Sequence, residues 1–291
     1  MKVCQKLFPM GSFKGQKSDG FYMNDYLQQN MEVFAERIVD DMMFSILITG
    51  NGRVRVGKSV LAQQLGTYIT YEVNEKHGLK NKFDVDNIVF KADDLIDKAF
   101  ELPPYSVVVL DEGDDLTENY WSSLAKKLRR FFRKCGQLNL FFIMLIPDYF
   151  ELNRSYAITR TECLIDVYFY GDYERGYFNF YNFQTKKYLF HNGKKYGNYG
   201  AASPNFSGRF PHTYTVNEAE YRAKKKKDLE DDDIEKASEN ETEMILKGKL
   251  IYKLINEYKE STRTIGEYLN KPHKTIWNWQ EKAKSLGNVP V

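Results

Sequence analysis

The chain has 291 residues, enough for one large α/β domain and a small appended unit. Hydrophobic residues at 42% and charged residues at 28% exclude a disordered chain, and a formal charge of +2 leaves nucleic-acid binding to depend on where the charges sit. Three cysteines (Cys4, Cys135, Cys163) lie far apart, without the spacing of a metal site, which points to a reducing, cytoplasmic setting. The apolar run 140–146 is far short of the ~20 residues a membrane span needs, and the first residues lack an apolar signal core, so a soluble protein without a transmembrane segment is expected.

Residues 1–20 read as a loose arm, and 21–43 as a flanking helix with Tyr26, Met31, Phe34, Ile38 and Met42 at helical spacing. Residues 44–49 form a short apolar strand broken by Gly50-Asn51-Gly52, and a helix starts near Lys58 and passes Leu61, Leu65 and Tyr68. A strand over 87–90 and a helix over 93–102, stopped by Pro103-Pro104, come next. Residues 106–110 are continuously apolar, as in a buried parallel strand, and end in acids. A basic helix over 121–134 and a strand over 138–146 follow. Residues 163–170 and the aromatic stretch 177–190 predict further strands, the latter as a hairpin. Strands alternating with helices predict an α/β fold whose mainly parallel sheet is flanked by helices. After residue 190 a Gly-, Asn- and Ser-rich stretch reads as a long loop. The expected segments are therefore an arm and helix (1–43), a nucleotide-binding domain (44–215), a charged linker (216–243) and a small all-α unit (244–291).

Between the first strand and its helix stands Gly52-Arg53-Val54-Arg55-Val56-Gly57-Lys58-Ser59, which fits G-x-x-x-x-G-K-S, the P-loop or Walker A pattern. Its glycines let backbone N–H groups curl around phosphates. Lys58 offers charge to the β/γ oxygens and Ser59 a hydroxyl to Mg²⁺. The helix N-terminus favours the anion further. Asp111, at the end of the 106–110 strand, is expected to hold the water shell of the metal, and Glu112 to act as general base on the attacking water. ATP and Mg²⁺ are the cofactors this pattern calls for.

With this Asp-Glu pair and no guanine-reading motif, the sequence resembles the additional-strand, catalytic-glutamate division of P-loop ATPases. In that division a further strand lies between the P-loop strand and the Asp-Glu strand, and its end carries a polar sensor; Asp148 and Asn139 are the candidates. The order of a basic helix, Gly136, an apolar strand and Pro147-Asp148-Tyr149-Phe150-Glu151-Leu152 resembles the FtsK/HerA superfamily of DNA translocases, zonular-occludens-toxin-like proteins and viral packaging ATPases, over about residues 40–190. That superfamily usually has a Gln near where Pro147 stands. The resemblance implies a ring-forming homo-oligomer with an arginine acting on a neighbour's ATP: Arg160 first, then Arg154, then Arg133. It also implies an ATP-hydrolysing motor on DNA. The alternatives are an ATP-dependent DNA-binding loader or regulator, and a membrane-associated assembly or secretion ATPase.

Two stretches are candidate DNA contacts. Residues 126–134 hold six cations in nine positions, a phosphate-tracking face or the outer side of an ordinary amphipathic helix. Residues 260–284 resemble a helix-turn-helix, with His273, Lys274, Thr275, Asn278 and Gln280 near bases or phosphates; a protein-binding three-helix adaptor is the alternative. Trp277 and Trp279, two apart on one helix, cannot both face its core.

Overall fold

The computed structural model describes residues 23–111 and 123–285, and the side chains within them apart from 123–125, 232–245 and 282–285. The chain divides into two compact units, meeting at Arg222 and Ala223.

In the first unit, Asn24 caps helix α1 (Asp25–Arg37) by accepting from the backbone N–H groups of Tyr26 and Leu27. Its buried side is Leu27, Met31 and Ala35, while Tyr26 is exposed. Strand β1 (Phe44–Thr49) leads through the glycine-rich loop into α2 (Lys58–His77), and β2 (Ile88–Val89) into α3 (Ala92–Glu101). Strand β3 (Val107–Leu110), α4 (Ser123–Lys134) and β4 (Phe141–Leu145) follow. A single π-helical turn (Ser155–Thr159) precedes β5 (Cys163–Tyr170), β6 (Glu174–Tyr181), α5 (Phe183–Gly193) and β7 (Phe206–Arg209).

The seven strands among the described residues share one sheet in the order β2-β3-β4-β1-β5-β6-β7. The first five run parallel, and β6 and β7 extend the sheet antiparallel. Strand β4 therefore lies between β1 and β3. Both faces are covered, which explains the unbroken apolar runs. Ile46 and Ile48 turn toward α1 and α2, whereas Leu47, Val108, Phe142 and Met144 turn toward α3, α4 and α5. No helix among the described residues is long and apolar enough to cross a membrane.

The structure corrects the aromatic stretch. The hairpin is β5–β6, and Phe183 onward is helical: Asn182 accepts from Thr185 N, and Lys186, Leu189, Phe190 and Gly193 line the buried side of α5. The expected long loop after residue 190 contains the edge strand β7, paired with β6 from Phe206 to Arg209. Gly208 there meets the Phe178 ring so closely that a Cβ would come within 2.7 Å of it.

The charged stretch belongs to one helix, α6 (Glu218–Asn256). The second unit contains most of α6 together with α7 (Thr262–Tyr268) and α8 (His273–Ser285). Ile251, Ile265 and Ile276 form its small core, flanked by Leu254, Ile255 and Trp279. Ser261 caps α7 by accepting from Thr264 N. The turn into α8 is tight, because a Cβ at Gly266 would lie 2.7 Å from the Lys271 carbonyl oxygen.

Candidate nucleotide site

Strand register gathers the site. Ile48 lies opposite Leu145, Leu110 opposite Met144, and Thr49 opposite Asp166, so the residues after β1, β3 and β4 emerge along one edge of the sheet. At that edge Gly52 N donates to the Pro147 carbonyl at 2.9 Å, and Arg53 N closes a turn onto Gly50 O at 2.9 Å. Positive φ at Asn51, Gly52, Arg55 and Gly57 curls the loop. Gly50 is closely packed, since a Cβ there would come within 2.8 Å of Val56 and 2.9 Å of the Arg53 carbonyl. Arg53, Val54 and Arg55 are exposed on the loop's crest, and Val56 anchors it in the core.

Gly57, at φ 111°, is the N-cap of α2 and offers no side-chain cap, and the first turn of α2 holds no acid. Its leading N–H groups are thus of the kind that bind phosphate. Lys58 Nζ donates to the Ile146 carbonyl at 3.0 Å, spanning from α2 to the end of β4. Ser59 Oγ donates to Asp111 Oδ1 at 3.1 Å, across 52 residues of sequence. Asp111 is buried, and its Oδ2 accepts from the Tyr221 hydroxyl. Burial and the neighbouring carboxylate push the Tyr221 phenol well above its ordinary pKa, so it stays a donor. A hydroxyl and a carboxylate oxygen side by side are hard ligands that suit Mg²⁺, and the uncapped helix with its lysine suits phosphate. The chain's own residues fit a magnesium-bound nucleotide.

No protein-family model, curated protein or solved structure matches this chain.

Glu112 lies outside the described residues. Of the two sensor candidates, Asp148 stands at the site's edge and accepts from the Tyr199 hydroxyl at 3.0 Å. That hydroxyl also accepts from Tyr149 N and lies 3.2 Å from Thr49 Oγ1. Asn139 precedes β4 and sits at the opposite edge of the sheet. Arg160 also stands at that far edge: it precedes β5, whose Cys163 is opposite Ile46, and its Nη1 donates to the Phe132 carbonyl at 3.1 Å. The structure therefore does not bring Arg160 to Lys58 of the same chain. Arg154 and Arg133 are exposed.

Sequence reasoning missed three residues near the site. Asp166 on β5 is buried with Oδ1 lacking a hydrogen-bond partner, and burial, with Asp148 nearby, raises its pKa to about 7. Tyr199 fell in the supposed loop. Tyr221 fell in the supposed linker, where the one visible signal was a lone aromatic among charges.

Elsewhere, Leu128, Phe131 and Phe132 of α4 are buried while Lys126, Lys127, Arg130, Arg133 and Lys134 are exposed, with Lys127 paired to Asp93. On α8 Trp277 is 52% exposed and Trp279 packs on the small core, with Lys247 Nζ 5.2 Å from its ring. His273, Lys274 and Asn278 are exposed beside Trp277.

Proposed function

We propose that this chain is a P-loop ATPase that binds and hydrolyses Mg²⁺-ATP and acts on DNA, as a translocase or genome-packaging-type motor. The observation that carries the proposal is the Ser59–Asp111 hydrogen bond at 3.1 Å. It brings the start of α2 and the acid that ends β3 together, beside an uncapped helix that begins with Lys58, which supports a joint phosphate and metal site. The position of β4 between β1 and β3 agrees with the additional-strand division and supports the same conclusion.

In this proposal the backbone N–H groups of 52–59 hold the phosphates, and Lys58 leaves the Ile146 carbonyl to face the β/γ oxygens. Ser59 and Asp111 would hold Mg²⁺, which when bound neutralises charge on the phosphate oxygens. Glu112 takes the proton of the attacking water. The exposed cations of α4 and the His273, Lys274 and Asn278 face of α8 supply the DNA contacts, α7 and α8 acting as a helix-turn-helix.

The decisive experiment is ATP turnover with and without double-stranded DNA, on a sample whose mass is measured with ATP present. DNA stimulation together with ring assembly supports the motor. Absence of ATP binding overturns the proposal. One observation favours a second reading, a DNA-bound switch that moves nothing: the arginine ranked first for a neighbour's ATP is held by the Phe132 carbonyl of its own chain. Stimulation without assembly would select that reading.

A further inference from the structure

Residues 218–233 are almost wholly charged, and Tyr221 is their only aromatic. A solvated helix has no use for a buried phenol, yet Tyr221 is 4% exposed. Asn217 starts the helix by accepting from Ala219 N and Glu220 N, and so sets Tyr221 on its first turn. There the ring sits 6.2 Å from that of Phe90 and 6.1 Å from that of Tyr214, and the hydroxyl reaches Asp111 Oδ2 and also meets the Ser59 side chain.

The segment before it is strapped to the helix that carries the phosphate loop. Gln64 Nε2 donates to the carbonyls of Pro211 at 2.8 Å and Thr213 at 2.9 Å, and Thr67 Oγ1 donates to Thr215 Oγ1 at 2.8 Å. The Phe210 ring lies under Gly57, where a Cβ would meet it at 3.2 Å. Phe210 and Val216 belong to the same core as α2. One helix thus holds Lys58 and Ser59 at its start and anchors, one and two turns on, the strap that delivers Tyr221.

Resting on the nucleotide-site proposal above, we propose that Tyr221 is a positioning residue for the metal carboxylate. Its hydroxyl fixes Asp111 Oδ2, so that Oδ1 is presented with Ser59 Oγ to a divalent cation. A buried carboxylate that loses one of its donors is held less firmly about its Cβ–Cγ bond, and that presentation weakens. The strap marks a fixed support rather than a swinging latch. To withdraw Tyr221 the chain would have to expose Phe210 and Val216 and leave the Gln64 amide without its two acceptors.

The test is Tyr221→Phe in the full chain, which keeps the ring and removes only the hydroxyl. ATP binding is measured by calorimetry in EDTA and across a Mg²⁺ titration. The expected result is an EDTA affinity within about twofold of the original chain. The Mg²⁺ concentration for half-maximal enhancement of binding should rise about tenfold, the effect of one hydrogen bond to a charged group. In an Asp111→Asn background the same substitution should leave the Mg²⁺ response unchanged. Retained EDTA affinity also reports that fold and phosphate loop survive. An unchanged half-point overturns the inference, and so does a lowered one, which would make Tyr221 a latch. Loss of EDTA affinity overturns it too, because the residue would then support the whole pocket. If the original chain binds no ATP in either condition, the nucleotide-site proposal itself falls and takes this one with it. Normal Mg²⁺-ATP binding with an indifferent Tyr221→Phe sinks only this one.

Discussion

The ammonium of Lys58 rests on the Ile146 carbonyl, a contact that the proposed function has it trade for phosphate oxygens. Lys58→Ala should therefore lower ATP affinity at least about tenfold, read by titration with a fluorescent nucleotide. Glu112→Gln should bind ATP as the original chain does while turnover drops on the order of 100-fold or more, the usual worth of a general base. Comparable turnover by the two would remove Glu112 from that role. Asp166 makes a prediction independent of nucleotide. Its pKa is raised to about 7, first by burial and then by Asp148; Tyr168, Tyr181 and Tyr199 also face it. An acid raised in the folded state binds a proton there that the unfolded chain has released. The stabilisation is full below the unfolded value near 4 and is lost as pH rises through about 7. Asp166→Asn should thus melt like the original chain near pH 4 and about 5 °C or more higher at pH 8. Parallel melting curves across that range would mean that Asp166 ionises freely in the folded state.

At the scale of elements, the turn between α7 and α8 leaves no room for a side chain at Gly266. Gly266→Ala should cost roughly 1–3 kcal/mol, read as earlier loss of helical signal from the second unit, with Mg²⁺-ATP affinity unchanged. If α8 meets DNA, Lys274→Ala should lower the salt dependence of binding by about one counterion, and Asn278→Ala should mainly relax sequence preference. An unaltered salt slope in the full chain would turn attention to exposed Trp277 and a protein partner. Strands β1, β3, β4 and β5 were legible in the sequence because each is largely buried on both faces and is followed by a Gly, Pro or acid signal. The segment after β6 was not. Tyr188 and Phe190 carry strand propensity, and helix α5 is decided instead by the Asn182 cap and by burial against the sheet. Strand β7 was hidden by its Gly and Ser; Gly208 is there because Phe178 leaves no space, and Ser207 bonds to Asn179 on β6. The glycine-rich turn between β1 and α2 and the acid that ends β3 could be read from spacing alone. Tyr199, Asp166 and Tyr221 could not, since each matters through neighbours that only the fold supplies: Tyr199 through Tyr149 and Asp148, Asp166 through its burial beside Asp148 and Thr49, and Tyr221 through Asp111.

For the whole molecule, the far-edge position of Arg160 sets a clear condition on the proposed ring: Arg160 would serve ATP only in a neighbouring copy. Arg160→Ala should then bind ATP normally yet turn it over slowly, and mixing it with Lys58→Ala chains should restore part of the activity through mixed interfaces. Two inactive variants that never complement, in a protein whose mass with ATP and DNA is that of one chain, would remove the ring. The strap from Phe210 to Tyr221 also has a consequence in time. After Asp111 a ribosome reaches Tyr221 only at the 110th further residue, a delay of roughly 5–20 s at ordinary elongation rates. Over that interval the glycine-rich loop, β3 and β4 have been made, but the carboxylate's second oxygen has no phenol to meet. The pocket is completed by nearly the last residue of its unit. Nascent chains arrested at successive lengths should accordingly gain magnesium-dependent, ATP-dependent resistance to protease abruptly, once Tyr221 has cleared the ribosome and not before.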